Sequence, residues 1–366
     1  LELKRITNFN AGPSAIPLNV LQRVYDKWFN YEGYGMAVME MSHRSKIFDD
    51  IHNRTISLVK QLLDLSDDYH VLFLQGGASL QFAMLPMNIL TKSKSADYLD
   101  TGSWSTAAIK ETKLFGKVNL VFDGSIDKYM RLPKMDEIKL SKKAEYVHIT
   151  SNNTIKGTQF FEFPKTGDIP LVCDMSSDIM SRKLDINQFA MVYAGAQKNL
   201  GPSGVTLVII RDDMLKKMSK DTTSMLNYHV HLKKNSLFNT PNTFGIYLMG
   251  EVLQWIVEQG GVQDMEDRNR EKAELLYEYI DENGDFFSGP VEKSSRSWMN
   301  VCFRLPNEEL EAKFAQESVG ARLSGLKGHR SVGGLRASIY NTASLRDVKT
   351  LITFLKAFKK RNIDFL

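Results

Sequence analysis

In VYAGAQKNLGPSGVTLVII (residues 192–210) an apolar strand carries a single lysine, Lys198, into a loop bounded by glycine and proline, and a second apolar strand leaves it. Lysine ordinarily sits on exposed helices. One held between two buried strands loses hydration, which lowers its pKa and frees the neutral amine for Schiff-base chemistry. A strand-end lysine that snorkels back to solvent fits the spacing equally well.

Five more short apolar runs lie upstream: YHVLFLQ (69–75), ADYLD (96–100), KVNLVF (117–122), AEYVHIT (144–150) and IPLVCDM (169–175). With FAMVYAG (189–195) and GVTLVIIR (204–211) they predict an α/β domain whose seven-stranded, mainly parallel sheet is flanked by helices. The first run stops at Gly76-Gly77, and the helix-compatible LQFAMLPMNIL (80–90) follows.

The pattern changes at Gly260-Gly261, where the helix VLQWIVEQ ends on glycines suited to a left-handed cap. A charged amphipathic helix comes next (266–284), with Glu266 and Arg270 at i,i+4, then strand-like WMNVCFRL and ASIYN. The last helix opens with Ser344 as N-cap and Asp347 three residues on, and carries Leu345, Val348, Ile352, Leu355 and Phe358 on one face. The expected division is a large domain over 16–261 and a smaller α+β domain over 262–366 that also takes in the N-terminal segment 1–15.

Composition excludes several classes. Among 366 residues, 47 basic side chains against 43 acidic leave a net charge of +4, too slight to argue for nucleic acid or an anionic membrane. Two cysteines, Cys173 and Cys302, make neither a disulfide scaffold nor a four-thiolate zinc site. Both lie in apolar segments and read as buried, reduced thiols of a cytoplasmic protein. No apolar run approaches the roughly 20 residues of a membrane helix, and LELKRITNFNAGPSAIP (1–17) has no apolar stretch of the kind a secretory leader needs.

Several chemistries are missing from the sequence. There is no P-loop, no nucleophile elbow and no H-E-x-x-H, and Gly33-Tyr34-Gly35 lacks the third glycine and preceding strand of a dinucleotide fingerprint. His229-Val230-His231 has no nearby carboxylate or cysteine and reads as a surface pair, so no metal is expected.

Two other features join Lys198. Asp174 closes the apolar strand in LVCDMSS, 24 residues upstream of the lysine. A carboxylate there either caps the next helix or meets a cation, such as the protonated ring nitrogen of pyridoxal phosphate. The junction Gly76-Gly77-Ala78-Ser79 reads as a tight turn or as a phosphate cup, in which small residues let an anion approach free N–H groups at a helix start. Together the three fit a cofactor with a phosphate, an aldehyde and a ring nitrogen.

Nine segments then carry a specific resemblance: NFNAGPSAIP (8–17), EMSHRS (40–45), FLQGGASLQF (73–82), GSWST (102–106), NNTIKGTQF (152–160), DMSSD (174–178), YAGAQKNLGPSG (193–204), NTPNTF (239–244) and LKGHRSVGGLRASIYN (326–341). In order and spacing they resemble the phosphoserine aminotransferase family, class V aminotransferases of the pyridoxal-phosphate fold type I. The resemblance implies that Lys198 holds the cofactor as an internal aldimine and moves the substrate proton. It also implies that Asp174 pairs with the pyridine N–H, that Trp104 stacks on the ring, and that Thr154 bonds the ring hydroxyl. Gln197, Ala78 and Ser79 would face the phosphate, with Asn239 and Thr240 reaching it from a second subunit of a homodimer with shared sites.

For substrate, the resemblance implies that Arg336 clamps the α-carboxylate, while His43, Arg44, His329 and Arg330 bind the far anion. Some family members have arginine where this chain has Ser79, and serine in place of Ala11. The implied reaction is a ping-pong transamination between L-glutamate and 3-phosphooxypyruvate, giving 2-oxoglutarate and O-phospho-L-serine. The alternatives are another class V aminotransferase of the alanine–glyoxylate type, or a non-catalytic anion-binding dimer on the same scaffold.

Overall fold

The computed structural model describes residues 5–363, so residues 1–4 and 364–366 of the expected smaller domain lie outside the described residues. Seven strands form one sheet: β1 (Tyr69–Leu74), β2 (Ser95–Asp100), β3 (Lys117–Asp123), β4 (Ala144–Thr150), β5 (Leu171–Asp174), β6 (Met191–Gly195) and β7 (Thr206–Arg211). Their spatial order is β1-β7-β6-β5-β4-β2-β3. β7 alone runs opposite to the other six strands. Each strand matches an apolar run, because a sheet covered on both faces needs hydrophobic side chains on both. In β7, Leu207 and Ile209 enter one core and Val208 and Ile210 the other.

Helices Lys46–Leu63 and Thr243–Glu258 cover the first face, and Gly77–Ile89 and Ser103–Thr112 the second. The helix after β1 starts three residues earlier than its apolar run suggests. Gly76 adopts φ +84 as its N-cap, where a Cβ would collide with Leu80 Cβ at 2.6 Å, so glycine alone permits this tight entry. Pro86 lies inside the same helix.

Beyond Gly260 (φ +99) the helix Gly261–Glu282 packs with Leu345–Asn362 against a two-stranded antiparallel pair, Asn300–Phe303 and Leu335–Ser338. Ser344 caps the last helix as expected: its Oγ accepts from Asp347 N at 3.2 Å while Asp347 Oδ2 accepts from Ser344 N at 2.8 Å. Leu351 joins the buried face of that helix, and Leu345 at its start is only half-buried.

Two readings need correction. His231 is buried, with its Nε2 on Met225 O at 2.9 Å, so residues 229–231 are not a surface pair; a six-residue helix turns one imidazole inward and leaves the other near Met218 O. Cys302 is only half-buried, because its register partner across the strand pair is Arg336 and both side chains face a cleft. Cys173 is fully buried, as read. Among the described residues no group of His, Cys, Asp and Glu could hold a metal, and no helix is long and apolar enough to cross a membrane.

Candidate active site

The parallel strands all end on one side of the sheet, where open α/β sheets bind ligands. The helix start after β1 brings Gly77, Ala78 and Ser79; the helix start after β2, Trp104; the loop after β4, Thr154; β5, Asp174; and the loop after β6, Gln197 and Lys198. These residues line one cavity of about 350 Å³, whose remaining wall includes His329 and Arg336.

Lys198 is 9 % exposed, and its Nζ donates to Thr154 Oγ1 at 2.8 Å and to Ser177 Oγ at 2.7 Å. Burial pushes its pKa down to about 8; the Arg336 guanidinium adds to that, and the carboxylates of Asp174 and Asp178 oppose it. A lysine snorkelling to solvent is thereby excluded. The amine is held where a neutral fraction exists near neutral pH. Asp174 is also buried, and burial raises its pKa, countered by hydrogen bonding from Ser176 and by Lys198. Its Oδ1 accepts from Ser176 N at 2.9 Å. Desolvating this carboxylate is costly unless a cation joins it.

The lysine loop is fixed on its far side by the N-terminal segment. Ser14 Oγ donates to Lys198 O at 2.6 Å, and Gly12 passes so close that a Cβ would touch Lys198 Cγ at 3.5 Å. Asn341 N donates to Asn199 Oδ1 at 3.0 Å, tying the residue after the lysine to the segment that follows Arg336. Arg336 Nη1 donates to Thr154 O at 3.1 Å.

Sequence reasoning missed Ser176, Ser177 and Gly12. The two serines stand inside the quoted DMSSD and Gly12 inside NFNAGPSAIP, so the motifs pointed at them without assigning a partner. Of the expected site residues, His43, Arg44, Asn239, Thr240 and Arg330 are not among those lining this cavity. Arg44, Thr240 and Arg330 are exposed, Asn239 is half-buried, and His43 is buried with Nε2 lacking a partner. Thr240 O accepts from Gln75 Nε2 at 3.4 Å, just before the Gly76 turn.

The cavity fits pyridoxal phosphate. Two buried polar atoms on its wall, Arg336 Nε and Thr150 Oγ1, have no protein partner. A Cβ on Gly77 would meet nothing within 4 Å, so the helix start lies open to an anion. Lys198 and Asp174 place an amine and a carboxylate where an aldehyde and a ring nitrogen would need them.

Lys198 also makes a stability prediction for the cofactor-free protein. Its pKa is 10.5 as a free side chain and about 8 when folded, so between those values the unfolded chain holds the extra proton and stability rises with pH. The penalty is complete below about pH 8 and is gone above about 10.5. Lys198→Met removes it. Urea unfolding should show the variant gaining on the parent by roughly 3 kcal/mol at about pH 7 relative to about pH 10.5. Buried Lys272, whose pKa is lowered to about 7, is common to both proteins and cancels in that difference.

Comparison with known proteins agrees with this geometry. The family model "Aminotransferase class-V" matches residues 6–351. A phosphoserine aminotransferase of Niallia circulans is 51% identical over 357 residues, covering 98% of this chain and 99% of that protein. The solved phosphoserine aminotransferase from Bacillus circulans subsp. alkalophilus superposes with a TM-score of 0.96 at 50% identity, covering 98% of this chain and 99% of that one. A PLP-bound phosphoserine aminotransferase from Trichomonas vaginalis gives 0.91 at 37% identity, over 96% of this chain and 100% of that one. A buried amine opposite a buried carboxylate, on a chain half identical to these proteins over nearly its whole length, leaves one assignment: the chain belongs to the class-V aminotransferases, in the phosphoserine aminotransferase family.

Proposed function

We infer that the chain is a pyridoxal-phosphate-dependent transaminase that passes the amino group of L-glutamate to 3-phosphooxypyruvate, yielding 2-oxoglutarate and O-phospho-L-serine for serine biosynthesis. The observation that carries the reading is Lys198, desolvated to a pKa of about 8 in a cavity it shares with Asp174 and Arg336. When bound, pyridoxal phosphate supplies an aldehyde that captures amines and a ring that accepts the electrons left when Cα loses its proton.

The chain's own residues do the rest. The N–H groups of Ala78 and Ser79 at the helix start, with the Gln197 side chain, face the phosphate. Trp104 covers one ring face, and Thr154 meets the ring hydroxyl. Asp174 holds the ring nitrogen protonated. Lys198 would take the proton from Cα and deliver it two bonds away, across the amino nitrogen, to the carbon of the cofactor's aldehyde group, and would serve both half-reactions in a ping-pong cycle. Arg336, with Nε unpartnered, clamps the α-carboxylate as a fork. Replacing Asp174 by Asn should cut kcat by about 10²–10³-fold, the cost of breaking a buried charge pair, with bound cofactor measured separately by absorbance.

The far anion of either substrate falls to His43, Arg44, His329 and Arg330, and Asn239 and Thr240 reach the cofactor phosphate of a second copy. Exposed apolar side chains support a homodimer. Phe29 is 80 % exposed, and Trp28, Met39 and Phe238 also show; Trp28 lies edge-on to Phe244 at 5.3 Å, which brings the 28–39 and 238–244 segments together. Sedimentation should give twice the 41.6 kDa chain mass. We also propose the division at 261/262, supported by Phe9 packing in the cluster otherwise formed by residues 273–358, and a cytoplasmic location.

Borohydride reduction of the yellow holoenzyme followed by peptide mapping tests the reading. The label is expected on Lys198, and its absence there sinks the transaminase mechanism. A coupled assay comparing 3-phosphooxypyruvate with its unphosphorylated ketoacid then tests the substrate, with the phosphorylated one strongly preferred.

A further inference from the structure

The catalytic cavity shares a wall with a second one of about 460 Å³, which opens along the seam beside the strand pair 300–303 and 335–338. Lys128, Lys156 and Arg304 line this cleft, and His329 and Arg336 belong to both cavities. Among the described lining residues none is acidic. Arg304 is already neutralised, its Nε meeting Glu311 Oε1 at 3.0 Å and its Nη1 donating to Val332 O at 2.9 Å. Lys128 and Lys156 have no carboxylate partner among the described residues. Burial lowers the pKa of Lys156, and the neighbouring Cys302 sulfur opposes that shift.

The wall that carries these lysines is built at a conformational cost. Lys128 and Tyr129 both have left-handed backbone, φ +53 and +61, which non-glycine residues adopt only where the surroundings hold them. The surroundings do so: Tyr129 N donates to Gly124 O at 2.7 Å, Tyr129 OH to Asp100 Oδ2 at 3.3 Å, and Glu292 N to Met130 O at 2.9 Å. Lys156 Nζ then lies over the Tyr129 ring, 5.2 Å from its centre. Across the cleft Arg336 Nε is buried without a partner. Same-sign charge lining a low-dielectric cleft concentrates counter-ions there.

We propose that this cleft is a second anion-binding site, which takes a small phosphorylated or polycarboxylate molecule between Lys128, Lys156 and Arg336. An occupant draws on the same guanidinium that faces the catalytic cavity, so occupancy opposes substrate binding. That consequence rests on the role proposed above for Arg336; the binding itself does not.

The test uses holoenzyme, inorganic phosphate as the probe, low ionic strength and titration calorimetry. Arg44→Ala with Arg330→Ala removes the two arginines proposed for the far anion of the substrate, and the lysine changes that follow assign the phosphate this variant still binds. Adding Lys128→Gln and Lys156→Met should weaken the remaining binding at least tenfold, with the melting temperature unchanged. No phosphate binding by the first variant, or equal binding by both, overturns the site. Phosphate should also raise the KM for glutamate in the first variant. Binding in the cleft without that rise leaves the site standing and counts against the role given to Arg336.

Discussion

Replacing Lys198 with alanine is expected to leave a folded chain that is colourless or loosely loaded with cofactor and has lost transamination by about 10⁴-fold or more. Two functions disappear together, the covalent tether and the proton carrier, which is why the loss exceeds that of an acid or base alone. Folding should survive the change. Thr154 Oγ1 and Ser177 Oγ, the two acceptors of the lysine, lie 2.7 Å apart and satisfy one another. The variant also sheds an amine that burial disfavours in its charged form. Single-turnover conversion of glutamate, followed with added cofactor, measures the loss. A small soluble amine such as methylamine should restore part of the rate, because the cavity is then open where the side chain stood. Rescue separates loss of the proton carrier from a collapsed site; turnover within tenfold of the parent would falsify the assignment.

The sheet was legible because a covered parallel strand announces itself. β5, β6 and β7 are buried on both faces and read as apolar runs, and β7, the one antiparallel member, differs from the other two in direction alone. Lys198 and Asp174 were legible for the same reason, as charges in places where charge is expensive. Ser177 was not. A serine acquires its part only when the chain closes, here by meeting a lysine 21 residues away. Arg336 illustrates the point at longer range: its bond to Thr154 O spans 182 residues, so no local pattern contains it. His231 misled because a two-residue spacing says nothing about which imidazole a short helix turns inward. Cys302 misled because the apolar run around it belongs to a two-stranded pair that covers only one face, so its alternate side chains line a cleft. Residues 239 and 240 illustrate a further limit, since a single chain shows them beside Gln75 and away from the cavity lining.

The double variant Arg44→Ala, Arg330→Ala is expected to lower kcat/KM for 3-phosphooxypyruvate by about 10²–10⁴-fold while changing that for the unphosphorylated ketoacid little. Each charge-assisted hydrogen bond to an anion contributes roughly 1.5–3 kcal/mol, so two arginines account for about 3–6 kcal/mol. Both side chains are exposed in the single chain, so their loss should leave stability within about 0.5 kcal/mol of the parent. The effect should therefore fall on recognition. Lysine in place of either arginine should restore only part of the loss, since a point charge cannot form the planar fork that phosphate and carboxylate both accept. Glutamate should suffer as well, through its side-chain carboxylate, because one pocket serves the two substrates in turn. An alanine–glyoxylate-type enzyme has no second anion to hold, and there the same double change would spare turnover. If phosphoserine formation survives it undiminished, the substrate named here is wrong even though Lys198 still labels, since the lysine reports the chemistry and these two arginines report what undergoes it.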